Sequence, residues 1–220
     1  MTTVEAALRS IEADGPVSGV SDRGSRGLIR LMDVLAALAG LLFFLPTLLL
    51  IAVAVRAQDG GPALFRQQRI GRAGRPFACL KFRSMTPDAE ARLPQLADRE
   101  WAERRKLRRD PRVTPLGRFL RLSSLDELPQ LINVLVGDMS LVGPRPIVAD
   151  EAPLYGRRFA AYCTVRPGLT GLWQVSGRND VSYPRRVAMD VWLVRNLTIR
   201  TYLALILRTV PAVLSREGVY

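Results

Sequence analysis

An uninterrupted apolar run of 22 residues, from Val34 to Val55, dominates the first third of the chain and consists almost wholly of Leu, Ala, Val, Ile and Phe. At a rise of about 1.5 Å per residue, a helix of this length reaches across the hydrocarbon core of a bilayer. The run is too long for the apolar region of a cleavable signal peptide, and no small-residue cleavage site follows it. We therefore expect a membrane-embedded helix close to the N-terminus.

Two details distinguish this helix from a simple membrane span. Pro46 stands in its middle, where a proline removes a backbone hydrogen bond and bends the helix. Both flanks are basic, with Arg23, Arg26 and Arg30 before the run and Arg56, Arg66, Arg69, Arg72 and Arg75 after it. The positive-inside rule then assigns no orientation to a span, but it suits a bent segment with both ends in the cytoplasm. A kinked transmembrane helix and a re-entrant hairpin over residues 28–58, bent at Pro46, remain as alternatives.

The remainder of the chain predicts an α-dominated α+β fold. Residues 1–27 are rich in Gly, Ser, Asp and Thr and predict a disordered tail. Residues 59–220 then form a small cytoplasmic domain. Its expected parts are two strands within 62–85, a charged helical segment over 87–109, two short helices within 115–136 joined at Ser123-Ser124, a Gly/Pro-rich loop over 137–146, loop and strand over 164–178, and two helices within 184–214. The last of these helices is rich in Leu and is expected to lie in the membrane interface.

The charge balance predicts an anionic partner. Lys and Arg number 32 against 20 Asp and Glu, a net charge of +12. Nucleic acid, anionic lipid headgroups and phosphorylated substrates all fit such a surplus. Aromatic residues make up only 7% and are not interleaved with the basic cluster at 104–109, so base-stacking platforms are scarce and a nucleic-acid partner is not expected.

The rarest residue types narrow the chemistry. The chain contains no histidine, which removes the commonest general base and the commonest zinc ligand. Its two cysteines, Cys79 and Cys163, lie in apolar company and are expected to be reduced packing residues in a reducing compartment. Acid–base or nucleophilic chemistry must then rest on carboxylates, hydroxyls, lysine or a thiol.

Asp126 and Glu127 are the strongest local candidates for chemistry, and their sequence context has two interpretations. Ser124 to Glu127 matches the capping-box pattern S-x-x-E, in which both acids only stabilise a helix start. A helix N-terminus also binds phosphate and lowers the pKa of a carboxylate, so an ionised Asp126 could bind Mg²⁺ or attack a phosphoryl group. Arg121 and Arg145 supply bidentate phosphate binders nearby in sequence. Common nucleotide-binding patterns are missing: there is no G-x-x-x-x-G-K-[ST], no G-x-G-x-x-G after a strand, and no D-x-D pair.

Several short motifs occur together and in a fixed order along the chain. They are Arg30 and Asp33 at the start of the apolar run, Pro46 within it, Lys81–Met85 (KFRSM), Ser124–Gln130 (SLDELPQ), Gly137–Ser140 (GDMS), Val142–Pro146 (VGPRP), Val165–Gly171 (VRPGLTG) and Gly177–Asn179 (GRN). In this combination the sequence resembles the bacterial sugar transferases, the monotopic polyprenyl-phosphate phosphoglycosyltransferases. Larger relatives carry further transmembrane helices and a soluble domain ahead of this core, so we expect a minimal catalytic form here.

The resemblance implies a reaction and a set of site residues. Asp126 and Glu127 match a catalytic pair that works with Mg²⁺, bound through Asp126. The aspartate attacks the β-phosphate of a UDP-sugar, releases UMP and holds the phospho-sugar until undecaprenyl phosphate displaces it. The residues expected to bind substrate are Lys81, Arg83, Arg121, Arg145, Arg166, Arg178, Asn179 and Asp190. The membrane helix of the family is broken at a Ser-Pro pair, whereas Leu45 precedes Pro46 here, which leaves the depth and angle of the bend open.

The resemblance also implies a location and partners. We expect the protein at the cytoplasmic face of a bacterial inner membrane, in contact with membrane lipid, where it would begin the synthesis of an exopolysaccharide, capsule or O-antigen. The identity of the sugar and of the glycan stays open, as does assembly into a homo-oligomer. The main alternative is a membrane-anchored scaffold with the same fold and no turnover.

Overall fold

The computed structural model describes residues 23–96, 110–177 and 181–215. Its helices are α1 (Arg23–Asp59), α2 (Ala89–Leu96), α3 (Pro115–Leu122), α4 (Gln130–Val136), α5 (Ala152–Tyr155), α6 (Phe159–Tyr162), α7 (Tyr183–Arg195) and α8 (Ile199–Ser215). Its strands are β1 (Leu64–Ile70), β2 (Pro76–Phe82), β3 (Ser140–Val142) and β4 (Gly168–Thr170). This inventory confirms the α-dominated fold with a small β component, and the two helices predicted within 184–214.

Helix α1 is longer than the sequence predicted. It starts at Arg23, so five residues assigned to the tail are helical, and it continues through Pro46 to Asp59. Within the described residues it is the one helix long and apolar enough to cross a membrane. The predicted hairpin is not confirmed, because the helix carries on past the proline. Residues 1–22 and the basic cluster at 104–109 lie outside the described part of the chain.

One face of α1 packs along the rest of the protein. Ile29, Asp33, Ala37, Ile51 and Val55 are buried on that face, and their separations, each close to a whole number of helical turns of about 3.6 residues, place them on one side of a helix. The opposite side exposes the large apolar side chains Leu28, Leu31, Leu35, Leu38, Leu42, Phe43, Leu45, Leu49, Leu50 and Val53. The domain therefore lies alongside the helix over most of its length.

Polar contacts attach the N-terminal half of α1 to the domain. Asp33 is 1% exposed, and its Oδ1 accepts hydrogen bonds from Ser140 Oγ (3.0 Å), Leu141 N (2.8 Å) and Tyr202 Oη (2.9 Å). Arg30 donates to the last carbonyls of α4, which have no partner within that helix. A buried carboxylate with three donors is well satisfied and fixes this half of the helix.

Arg83 attaches the other end of α1. Its guanidinium group donates to both carboxylate oxygens of Asp59, at 2.6 and 2.5 Å, and its Nε donates to Pro62 O at 2.8 Å. A further contact reaches Val55 O at 3.3 Å. This bidentate pair joins the end of β2 to the end of α1.

Two small sheets complete the framework. Strands β1 and β2 form an antiparallel hairpin in register from Leu64 opposite Phe82 to Ile70 opposite Pro76, as the sequence predicted. Strands β3 and β4 pair in parallel, so part of the segment predicted to be a Gly/Pro loop is a strand. The correction has a tertiary cause: a Cβ on Gly168 would lie 2.0 Å from Gly143 N, and only glycine allows this approach.

The cysteines behave as predicted. Cys79 is buried in a cluster with Phe77, Leu131, Val134 and Met139, and Cys163 is half-buried. Both are free thiols, and burial raises the pKa of each. They contribute packing.

Candidate active site

The loop between α3 and α4 carries the two candidate catalytic acids. Leu125–Glu127 forms a single 3₁₀ turn, and Ser124 before it has a positive φ of 57° with no side-chain cap bond. Helix α4 begins only at Gln130. The predicted capping box is therefore wrong, and so is the idea that these acids occupy the first turn of an α-helix. The turn buries Asp126 and leaves Glu127 partly exposed.

A close contact between α3 and the end of β2 positions this loop. Gly117, in the first turn of α3, lies so near Ser84 that an added Cβ would meet Ser84 O at 1.9 Å. Thr114 caps the helix by accepting a bond from Gly117 N at 2.9 Å, and its own N–H donates to Ser84 O. The packing brings Arg121 to Ser84, where Nε donates to Oγ at 2.9 Å.

Two cations hold Glu127. Lys81 Nζ lies 2.5 Å from Glu127 Oε1, and an Arg145 terminal nitrogen lies 3.8 Å from the same oxygen. Lys81 comes from β2 and Arg145 from the segment after β3. Glu127 therefore joins the hairpin to the Pro144-Arg145-Pro146 turn.

Asp126 has a different electrostatic environment. Its pKa is raised to about 6: burial is the main cause and the charge of Glu127 adds to it, while the cations Lys81, Arg121 and Arg145 oppose the rise. The prediction that a helix N-terminus lowers this pKa is wrong, because no helix starts at Asp126 and desolvation dominates. Near neutral pH the carboxyl is mostly ionised yet poorly solvated, which favours nucleophilic reactivity.

The two acids line a cavity of about 490 Å³ that combines charged and apolar side chains. Its charged lining residues are four cations and two acids: Lys81, Arg121, Arg145, Arg186, Asp126 and Glu127. Its apolar lining residues come from α1, the loop between α3 and α4, the segments around β3 and β4, and α8: Phe44, Leu125, Leu128, Leu141, Leu169, Trp173, Val175, Ile206, Ala212 and Val213. An anionic group and a hydrocarbon chain can be accommodated side by side in such a space.

The other predicted substrate-binding residues divide into three groups. Lys81, Arg121 and Arg145 line the cavity with Asp126 and Glu127. Arg83 and Arg166 do not line it: Arg83 binds the end of α1, and Arg166 Nε donates to Gly137 O at 2.7 Å. Arg178 and Asn179 lie outside the described residues.

Asp190 lies behind the cavity wall and is 1% exposed. Its Oδ2 accepts a bond from Tyr155 Oη at 2.7 Å. Burial raises the pKa of Asp190 to about 7, although Tyr155 and the charges of Arg145 and Arg186 act in the opposite direction. Asp190 therefore lies where its charge acts on Arg145 and Arg186. The sequence had predicted that it binds the substrate.

Sequence reasoning missed Arg186 and Trp173. The Arg186 guanidinium carbon lies 4.7 Å from the Trp173 ring centroid, and that of Arg145 lies 5.7 Å from it. Both are within cation–π distance. A signal was present, since Arg186 precedes the recognised acid Asp190 by four residues, the spacing of neighbours on one helix face.

The donor set is consistent with Mg²⁺ held jointly with a substrate. Among the described residues no group of three or more His, Cys, Asp or Glu side chains converges, so a cage made only of protein ligands is not formed there. Mg²⁺ typically takes one or two carboxylates and completes its shell with phosphate oxygens and water. The buried oxygens of Asp126, next to Glu127, fit that requirement.

Comparison with known proteins gives consistent relatives. A family model described as bacterial sugar transferase matches residues 24–216. The undecaprenyl-phosphate galactose phosphotransferase of Salmonella typhimurium is 46% identical over 209 residues, covering 92% of this chain and 44% of that protein. The exopolysaccharide production protein ExoY of Rhizobium meliloti is 46% identical over 211 residues, covering 93% of this chain and 90% of that protein.

A third relative has a different sugar in its name. The UDP-glucose:undecaprenyl-phosphate glucose-1-phosphate transferase of Caulobacter vibrioides is 43% identical over 199 residues, covering 87% of this chain and 71% of that protein. The chain thus spans less than half of the Salmonella relative and nearly all of ExoY. The same catalytic region occurs in proteins of different length whose names carry different sugars.

Proposed function

The chain belongs to the bacterial sugar transferase family, and on that premise we propose that it transfers a sugar 1-phosphate from a UDP-sugar to undecaprenyl phosphate. Relatives named for galactose and for glucose transfer to undecaprenyl phosphate support the reaction class. The relative named for exopolysaccharide production supports a role at the start of surface glycan synthesis. The donor sugar is left open by these names.

The observation that carries the proposal is that Asp126 lines one cavity together with cations and with apolar side chains. The charges of Lys81, Arg121 and Arg145 act on the carboxyl and suit a diphosphate. Phe44 from α1 and Ile206 from α8 are among the apolar lining residues, which suit the first isoprene units of a lipid. A nucleophile in this cavity can reach both substrates in turn.

The first half-reaction forms a covalent intermediate on Asp126. A carboxylate oxygen attacks the β-phosphorus, the one that bears the sugar, and a new P–O bond forms. The bond between that phosphorus and the bridging oxygen breaks, and its electron pair leaves with UMP. The cations Arg121 and Arg145 hold the phosphates in line and neutralise the charge on the departing oxygen.

The second half-reaction returns Asp126 to its starting state. An oxygen of undecaprenyl phosphate attacks the same phosphorus, and the bond from phosphorus to Asp126 breaks with its electron pair returning to the carboxylate. The product is a sugar joined to the lipid by a diphosphate. Neither displacement needs a proton acceptor, which suits a chain without histidine. Mg²⁺, held by Asp126 and the diphosphate, would supply further charge neutralisation when bound.

We also propose that α1 enters the cytoplasmic leaflet of the inner membrane and returns to the same side. The domain contacts both ends of this helix, through Asp33 near its start and through Asp59 near its end. A helix attached to one polar domain at both ends supports a monotopic arrangement, with its exposed apolar side toward lipid. Bending at Pro46 then lets the middle of the helix enter the leaflet. Helix α8, which exposes Leu203, Leu207 and Val210, is proposed to lie in the interface.

Release of UMP tests the reaction directly. The purified protein in lipid nanodiscs would be given UDP-galactose, UDP-glucose or UDP-N-acetylglucosamine with Mg²⁺ and undecaprenyl phosphate. We expect UMP from at least one donor, with a loss of about a thousandfold or more in Asp126→Asn. Asp150→Asn, an exposed acid outside the cavity, is the matched control and should retain activity. Folded wild-type protein that releases no more UMP than Asp126→Asn would support the scaffold alternative.

A further inference from the structure

Arg186 is a cavity residue to which neither the sequence motifs nor the reaction scheme assigns a role. It lies in the first turn of α7 and lines the same cavity as Asp126. Its Nε donates to Val181 O at 2.9 Å, and its guanidinium group lies 4.7 Å from the Trp173 ring centroid. A guanidinium group held by a backbone carbonyl and an aromatic face has a fixed direction, so less entropy is lost when it binds a ligand.

The Trp173 ring also lies close to a second guanidinium group, that of Arg145. Arg145 lies 5.7 Å from the centroid of the ring that Arg186 contacts. Trp173 itself is 4% exposed, which makes it a firm support. Two guanidinium groups next to one ring offer neighbouring planar sets of donors to a single anion. The arrangement therefore suits an anionic ligand.

The cations of the cavity form two groups that share Arg145. Lys81 Nζ and an Arg145 terminal nitrogen lie 2.5 and 3.8 Å from Glu127 Oε1, beside Asp126 in the chain. Arg145 and Arg186 lie next to the Trp173 ring, at 5.7 and 4.7 Å from its centroid. Arg145 therefore connects the acid pair to Arg186. A ligand with two linked phosphates can lie across this arrangement, one phosphate at Asp126 and the other toward Arg186.

We propose that Arg186, supported by Trp173, binds the α-phosphate of the nucleotide-sugar, the phosphate that departs as UMP. This inference rests on the proposed function, because it takes a UDP-sugar as the donor. It assigns the two phosphates of that donor to two groups of cations. The sugar-bearing phosphate lies at Asp126 with Lys81, Arg121 and Arg145. The α-phosphate lies at Arg145 and Arg186, where negative charge accumulates as the bridging bond breaks.

Equilibrium binding of UMP tests the inference without any need for turnover, because UMP carries the α-phosphate alone. Nanodisc-embedded wild type, Arg186→Gln, Arg186→Lys and Arg185→Gln would be titrated with UMP. We expect Arg186→Gln to weaken UMP binding by about tenfold or more through loss of a charge-assisted hydrogen bond. Arg186→Lys keeps the charge but not the planar fork and should fall between the two. Arg185→Gln, the exposed neighbouring arginine outside the cavity, should match wild type.

Steady-state kinetics identify which phosphate Arg186 binds. The inference predicts a raised KM for the UDP-sugar in Arg186→Gln and an unchanged KM for undecaprenyl phosphate. An altered lipid KM with normal UMP binding would overturn it and assign Arg186 to the acceptor. Wild-type protein that binds no UMP would also overturn it.

Failure of the proposed function gives a different result, with UMP bound and none released from any donor. Thermal unfolding of each variant shows whether a loss reflects misfolding, and Arg186→Lys decides the matter if Arg186→Gln does not fold.

Discussion

Asp126 and Glu127 are adjacent in the chain but lie in different surroundings. Glu127 is held by Lys81 at 2.5 Å and approached by Arg145, so its charge is already compensated. Asp126 is buried, and its pKa is raised to about 6 mainly by desolvation. A compensated carboxylate is suited to holding cations in place, and a desolvated one is suited to attack. We infer that Asp126 acts on phosphorus and that Glu127 positions Lys81 and Arg145.

The burial of Asp190 behind the cavity can be tested through the pH dependence of the free energy of unfolding. Burial raises its pKa to about 7, whereas an aspartate in an unfolded chain ionises near pH 3.9. Ionisation therefore costs more in the native state, and the contribution of Asp190 to native stability should fall by an amount on the order of a few kcal/mol as pH rises from about 4 to about 7. Asp190→Asn should lose this contribution and keep that of Asp126, so its stability should fall less than that of wild type over this range. Chemical unfolding of both proteins at several pH values measures it, and equal slopes would contradict the assignment.

Some features of the candidate site could be predicted from the sequence and others could not. The pair Asp126 and Glu127 stands out because carboxylates within a strongly matching motif indicate chemistry. The left-handed conformation of Ser124 was not readable, since S-x-x-E is an ordinary capping pattern and only the tertiary packing of the loop overrides it. The contacts of Arg83 and Arg166 with backbone carbonyls could not be predicted either, because an arginine in a motif can bind a backbone carbonyl as readily as a phosphate.

At the scale of elements, the contact between α3 and the end of β2 determines where Arg121 lies. The backbone of Gly117 touches Ser84, and Arg121, one turn further along α3, donates to the Ser84 hydroxyl. Strands β1 and β2 could be predicted from their own residues and the turn between them. The pairing of β3 with β4 could not, because those strands are three residues long and their partners are distant in sequence.

Gly117→Ala tests this contact. A Cβ at 1.9 Å from Ser84 O cannot be accommodated without moving α3, so we expect a loss of roughly 1–3 kcal/mol in the free energy of unfolding. Activity should fall further than stability alone explains, because Arg121 moves with the helix. Gly27→Ala is the control, since nothing lies within 4 Å of its added Cβ. Similar unfolding midpoints for the two variants would mean that the contact does not position the site.

At the scale of the whole molecule, α1 is packed into the cores of the domain. Ile29 packs in one core cluster with Tyr202 and Leu205 of α8, and Val55 packs in another with Phe82 and Leu120. Phe44, from the middle of α1, lines the cavity that contains Asp126. A net charge of +12 further suits a molecule that lies on anionic lipid. The sequence predicted an embedded helix from its length and apolarity, but not its packing along the domain, which depends on long-range contacts.

Labelling of the two ends of α1 tests the monotopic arrangement. In a Cys79→Ala, Cys163→Ala background, single cysteines would replace Gly27 and Gln58, both exposed positions at the two ends of the helix. A membrane-impermeant thiol reagent should label both positions in inside-out vesicles and neither in spheroplasts. Labelling of one position from each side would instead establish a transmembrane span.

The proposed reaction requires that Asp126 carry the phospho-sugar covalently. Intact-protein and peptide mass spectrometry, after incubation with the active UDP-sugar and Mg²⁺ but without lipid acceptor, detects such an intermediate. We expect a sugar-phosphate adduct on the peptide containing Asp126, lost when undecaprenyl phosphate is added and missing from Asp126→Asn. Turnover in the complete reaction with no adduct at Asp126 under rapid quenching would contradict it, and would point to direct attack by the lipid phosphate.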